Sequence, residues 1–169
     1  GGGVIGLEIG MYLNTFGANV TVIEMLDQVL PGIDPEIVKT LSRELKKKKI
    51  KVHTKTKALG FTGKNGKLEV QIEDAKGKQS AIKADKILVS VGRRPNTESL
   101  ALDKAGIDLD ERGFIKVNDK LQTNQSNIHA IGDVCGGMLL AHKASKEGLV
   151  AAAVIAGQNE VYDVKAMPG

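Results

Sequence analysis

The chain has no tryptophan, and only two tyrosines and three phenylalanines among its 169 residues. A core without large rings must be filled by Ile, Val, Leu and Ala, which favours an α/β organisation. Lysines without interleaved aromatics also argue against a nucleic-acid surface, as does a net charge of only +4. The single cysteine, Cys135, rules out an internal disulfide and fits a reducing compartment. No apolar run reaches membrane-spanning length, and no secretory signal is expected ahead of Gly1. His and Cys occur in no metal-ligand spacing. What remains is a globular composition, 41% apolar and 26% charged, of a length suited to one ordinary domain or two small ones.

The pattern along the chain supports two. Residues 3–16 read as a helix with Ile5, Ile9 and Leu13 on one face and Gly17 as its C-terminal stop. Asn19 to Glu24 reads as a short buried strand. A second helix starts at Asp34, with Pro35 at its first position and Ile37, Leu41 and Leu45 as its stripe. Lys46 to Lys49 form its solvated last turn, and Ile50 to Thr54 the next strand. A small antiparallel β-meander follows, with turns at Lys64-Asn65-Gly66 and Lys76-Gly77-Lys78 around the alternating LEVQIE, and then a buried strand from Lys86 to Val91. Gly92-Arg93-Arg94-Pro95-Asn96 ends it and marks a domain boundary, separating 1–92 from 93–169. Beyond it lie a short helix, a polar hairpin region, a buried strand at Ile128 to Ile131, and an alanine-rich helix from Leu139 to Gly157. His53 and His129 fall in expected strands and read as structural. No internal repeat is visible.

GGGVIGLEIG, Gly1 to Gly10, has the glycine spacing of a dinucleotide loop opening a helix. The first glycine permits the tight turn and Gly3 lets backbone approach a pyrophosphate. Gly6 lets helix pack on strand, and the free N–H groups of the first turn face the phosphates. Such a loop requires a β-strand before it, which this chain does not contain. Glu24, at the end of the next strand, can accept the ribose 2′- and 3′-hydroxyls. It would repel a 2′-phosphate, and no Lys or Arg lies between it and Lys39, so the site reads as NAD rather than NADP.

GGGVIGLEIG, TVIE, SVGRRPN and HAIGDV, in that order, resemble the two-dinucleotide flavoprotein disulfide reductases, above all their dihydrolipoamide dehydrogenase branch. The resemblance covers essentially the whole chain. It implies a Rossmann-like NAD-binding domain with a β-meander, lacking its first strand, over 1–92, and the second segment of the FAD-binding or central domain over 93–169. It implies an enzyme that passes electrons from dihydrolipoamide through a redox disulfide and FAD to NAD. Lipoyl-bearing domains of 2-oxoacid dehydrogenase complexes would be its partners, and the parent would be a homodimer of the bacterial cytoplasm or mitochondrial matrix. Gly1, Gly2, Gly3, Val4, Ile5, Gly6 and Glu8 would form the NAD loop, and Glu24 would be the adenosine ribose ligand. Ala58 would lie beside the adenine, and Gly92 where backbone passes the nicotinamide. Asp133 would hold a ribityl hydroxyl of FAD, and the backbone of Leu139, Leu140, Ala141 and His142 would face the flavin ring. Leu139 replaces a methionine of the family pattern, at a contact made through backbone. Glu8 would pair with a lysine beside the flavin that this chain does not contain; alternatively it is a carboxylate favoured by the positive helix end. Cys135 stands outside the family's Cys-x4-Cys pair and reads as a buried small apolar residue. Soluble transhydrogenases, mercuric reductases and NADH oxidases differ from this branch mainly at residues outside the chain. The isolated chain is expected to bind nucleotide without turnover.

Overall fold

The structure, a computed structural model, describes residues 1–64 and 66–168. It divides into two compact units, Gly1–Gly92 and Arg93–Gly169.

In the first unit, α1 (Val4–Thr15) begins immediately after Gly3. It ends where Gly17, at φ +91°, donates its N–H to the Asn14 carbonyl. The face expected to be buried is the wrong one. Ile5, Ile9 and Leu13 are exposed, and Gly6, Leu7 and Gly10 point inward. A helix approaches its neighbours most closely where Cβ atoms are missing, so the glycine face wins and the apolar stripe beside it stays outside. Strands β1 (Thr21–Ile23) and β2 (Lys51–His53) pair in parallel, with Val22 opposite Val52. Between them runs α2 (Pro35–Lys47), where the Asp34 side chain accepts the Glu36 N–H at 2.7 Å and Lys46 and Lys47 sit in the last turn. Its inward residues are Val38, Leu41 and Leu45, while Ile37 is exposed. Positions i, i+3 and i+7 follow the 3.6-residue period better than strict spacing by four does. Leu7, Val22, Val29, Val38, Leu45 and Ile50 form the core of the unit.

The meander is β3 (Lys57–Lys64), β4 (Lys67–Glu73) and β5 (Gln79–Ala84), antiparallel in that order, with a register shift between Ala58 and Gly60. Asp74 closes the β4–β5 turn by accepting the N–H groups of Lys76 and Lys78. In the expected turn at Lys64-Asn65-Gly66, Asn65 lies outside the described residues. Lys86 to Val91 does not form the expected buried strand. It pairs with no strand among the described residues, and Val89 and Val91 are exposed. Apolar composition favours a strand, but a ladder also needs a neighbour for its N–H and C=O groups.

The second unit is built from turns. A 3-10 turn, Glu98–Leu100, replaces the expected short helix. Asp110 accepts the N–H groups of Arg112 and Phe114, and two isolated bridges, Leu109 with Ile115 and Gln122 with His129, mark the hairpin region. Ile128 to Ile131 is therefore not a strand. Gly132 breaks the extended run at φ +77°, and the Thr123 hydroxyl and the Asn118 side chain bond the backbone locally instead. His129 thus lies in a bridge only. The helix α3 (Ala141–Ile155) packs Val150 and Ala151 on Leu121. Contrary to the alanine-rich pattern, it also buries Lys143 and Glu147.

Leu45 is 1% exposed and central to the first core. Leu45→Ala is expected to lower unfolding free energy by about 3 kcal/mol. Ile37→Ala is expected to cost under about 1 kcal/mol, both read from urea denaturation midpoints.

Candidate functional site

Each unit carries a candidate surface. In the first, the glycine loop is tied down from several sides. The Gly2 N–H donates to Oε2 of Glu24 at 2.6 Å, and the Gly2 carbonyl accepts the Leu30 N–H at 2.8 Å. A side chain at Gly2 would strike Val29 and the Glu24 carboxylate, and one at Gly6 would strike the Gly1 carbonyl and the Ser90 hydroxyl. Gly3 differs: a Cβ built there meets nothing within 4 Å, so the loop presents open backbone at that point. The first bond of α1 runs from the Leu7 N–H to the Gly3 carbonyl. The N–H groups of Val4, Ile5 and Gly6 precede it and have no partner within the helix.

Glu24 follows β1 directly and is only 9% exposed. Its Oε1 accepts the Leu26 N–H at 2.8 Å. Burial pushes the carboxyl up, but the N–H bonds from Leu26 and Gly2 outweigh it and hold the group below its ordinary value. An ionised carboxylate has about four acceptor sites, so two N–H bonds leave room for hydroxyl donors. The backbone of Glu24 also bonds the next loop, its carbonyl accepting the Thr56 N–H at 3.0 Å. Ala58, exposed, lies two residues beyond Thr56 at the start of β3. Glu8 is exposed on the second turn of α1 and makes no ion pair among the described residues. Gly92, exposed at φ +126°, adopts backbone geometry that suits glycine.

In the second unit, Asp133 lies in the 3-10 turn Gly132–Cys135. Its half-exposed carboxylate takes Nη1 of Arg93 at 3.0 Å, and Nη2 of the same guanidinium donates to the Leu139 carbonyl at 2.7 Å. Asp133 and the stretch Leu139-Leu140-Ala141-His142 are thereby brought together. The first α3 bond runs from the Ala144 N–H to the Leu140 carbonyl, which leaves the N–H groups of Ala141, His142 and Lys143 at the open end. The His142 ring shares a hydrogen bond with the Pro168 carbonyl at 2.7 Å. Burial and the Glu147 charge push the Cys135 thiol up to about 11, so it stays protonated at neutral pH. It is half-buried rather than fully enclosed.

Arg93, Ser90, Lys143 and Glu147 are contributors that sequence patterning passed over. One signal was present: Lys143 and Glu147 stand four apart in an alanine-rich helix, the spacing of an ion pair.

Residues 1–148 match the pyridine nucleotide-disulphide oxidoreductase family. The chain belongs to that family. Within it, the chain is 50% identical over 164 residues to dihydrolipoyl dehydrogenase of Thermus scotoductus, covering 96% of this chain and 36% of that protein. The corresponding Bacillus subtilis protein is 40% identical over 169 residues, again with 36% of its length covered. The chain thus spans little more than a third of the curated relatives it matches. Among solved structures, the HOCl-induced flavoprotein disulfide reductase RclA from Escherichia coli superposes with a TM-score of 0.88 at 27% identity, covering 96% of this chain and 37% of that one. An FAD-dependent pyridine nucleotide-disulphide oxidoreductase from Desulfovibrio vulgaris gives 0.81 at 31% identity, covering 95% and 42%. The mixed α/β fold expected from the sequence is that of this oxidoreductase family. Among the described residues no group of His, Cys, Asp and Glu could hold a metal ion, and no helix is long and apolar enough to cross a membrane.

A carboxyl held below its unfolded value stabilises the fold above that value and ceases to do so as pH falls through the folded one. Glu24 has an ordinary value of 4.5 and is lowered, so its contribution disappears on acidification below that range. Urea midpoints measured from about pH 6 down to about pH 3 should fall, and Glu24→Gln should flatten the acidic part of that dependence.

Proposed function

We propose that the chain supplies the NAD-binding domain, 1–92, and the second FAD-binding or central segment, 93–169, of a dihydrolipoamide dehydrogenase that uses NAD as electron acceptor. The observation that carries this reading is the buried Glu24 carboxylate bonded to Gly2 beside the open backbone of Gly3. It couples open backbone at the start of a helix to an acceptor for ribose hydroxyls in one hydrogen-bonded loop. The N–H groups of Val4, Ile5 and Gly6 meet the pyrophosphate, the free lone pairs of Glu24 take the ribose, and Ala58 lies at the adenine. Gly92 passes the nicotinamide, and Glu8 pairs with a lysine beside the flavin. In the second segment Asp133 accepts a ribityl hydroxyl, and the backbone at Leu139, Leu140, Ala141 and His142 faces the flavin ring. When bound, FAD and NAD supply the hydride chemistry itself. The electron donor is a lipoyl-bearing protein domain, the working enzyme is a homodimer, and it acts in the cytoplasm or the mitochondrial matrix.

A second reading concerns the 169 residues on their own: a nucleotide-binding segment without turnover. It is supported by Cys135, the sole cysteine, whose thiol is pushed up to about 11 and is unsuited to disulfide exchange.

Two measurements test these readings. Glu24→Arg should weaken nucleotide binding overall through loss of the Gly2 bond, while shifting the NADP-to-NAD affinity ratio about tenfold or more toward NADP in fluorescence titrations. An unchanged ratio would remove Glu24 from the ribose. With FAD added, the 169-residue chain should show no NADH–lipoamide turnover, and measurable turnover would overturn the second reading.

A further inference from the structure

The most costly arrangement in the second unit is one the proposed chemistry leaves unused. Lys143 and Glu147 form an ion pair at 2.7 Å with side chains only 9% and 4% exposed, on a helix otherwise rich in alanine. Enclosing two charges is expensive, and well-packed apolar residues of similar volume often serve stability as well or better. The pair therefore calls for a specific purpose, and its other contacts supply one. Oε2 of Glu147 accepts the Gly132 N–H at 2.7 Å, and the Lys143 ammonium reaches the Gly132 carbonyl in a long contact of 3.5 Å. Gly132 stands at φ +77°, and a Cβ there would meet Ala144 of the same helix at 3.3 Å. Both polar groups of this residue are thus directed at α3, and the turn is seated on the helix.

The next residue is Asp133, whose carboxylate faces outward and takes Arg93. With the Gly132 peptide anchored, the Cα position of Asp133 and the direction of its side chain are set from inside, while Arg93 orients the carboxylate from outside. We infer that Glu147, with Lys143 as its counterion, is a positioning residue for FAD: by holding the Gly132 N–H it fixes the turn that presents Asp133 to the ribityl chain. The inference rests on the reading of Asp133 as an FAD ligand. Purely structural packing would make the pair matter for unfolding alone, whereas positioning makes the acceptor at 147 matter for the flavin.

Two double variants of the FAD-loaded parent flavoprotein separate these roles, because both delete both charges. Lys143→Met/Glu147→Gln retains an acceptor for Gly132; Lys143→Met/Glu147→Leu does not. After removal of FAD and titration with it, the glutamine pair should bind within about threefold of the unmodified protein. The leucine pair should bind about tenfold more weakly, with its flavin absorption displaced toward that of free FAD. Equal FAD affinity and spectrum in the two variants overturn the inference. Should the leucine pair fail to fold, Glu147→Asp serves instead. It keeps both charges but withdraws the acceptor by one methylene, and should weaken FAD several-fold; unchanged binding overturns the inference. Asp133→Asn distinguishes the two levels. If it leaves FAD affinity untouched, the reading of Asp133 falls and takes this inference with it. If it weakens FAD while the two double variants bind alike, only the role of Glu147 falls.

Discussion

The Gly2 N–H bond to the buried Glu24 carboxylate is the contact on which the first unit turns. It joins the glycine loop to the end of β1 across 22 residues of sequence. The same carboxylate takes the Leu26 N–H, and the Glu24 backbone bonds His53 and Thr56. One residue therefore sets the loop before α1, the exit from β1 and the loop after β2. A hydrogen bond to an ionised acceptor is worth about 1.5–3 kcal/mol, and the glycine N–H it satisfies is buried with it. Without this acceptor, the loop would have a buried donor to satisfy elsewhere and no reason to keep the opening at Gly3 in place.

The second unit solves a similar problem with a similar device. Glu147 receives the Gly132 N–H as Glu24 receives that of Gly2, and at nearly the same distance. In both units a glutamate distant in sequence holds a glycine beside the residues proposed to hold a nucleotide. The difference lies in how each charge is compensated. Glu24 has backbone N–H groups on both oxygens and, among the described residues, no side-chain cation. Glu147 has a peptide on one oxygen and the Lys143 ammonium on the other. Where the backbone supplies fewer donors, a counterion one helical turn away completes the set.

Much of this was readable from local chemistry. Asp34 caps α2, Gly17 ends α1, Gly77 turns the meander, and the glycine loop and Glu24 stand together as their spacing implied. These features depend on a few neighbouring residues, so sequence carries them. The buried face of α1 was not readable, because Ile5, Ile9 and Leu13 and the glycine side lie on one short helix and tertiary approach chooses between them. Lys86 to Val91 looked like a buried strand because composition reports apolarity but not the presence of a pairing partner. Lys143 and Glu147 were hidden for the opposite reason. Charged residues on a helix usually face water, and only the position of Gly132 reveals that these two do not.

The double duty proposed for Glu24 has a consequence for how nucleotide preference can change in such a loop. A cation at that position would suit a 2′-phosphate, but a cation has no lone pair for the Gly2 N–H. Preference and loop order are therefore coupled through one side chain. Exchanging Glu24 alone alters both at once, whichever nucleotide is offered. A fold that favours the phosphorylated nucleotide must also supply a new acceptor for the glycine, from a neighbouring side chain, if it is to recover the affinity lost with that bond. That requirement makes the acid at the end of β1 harder to replace than the proposed contact with a ribose alone would suggest.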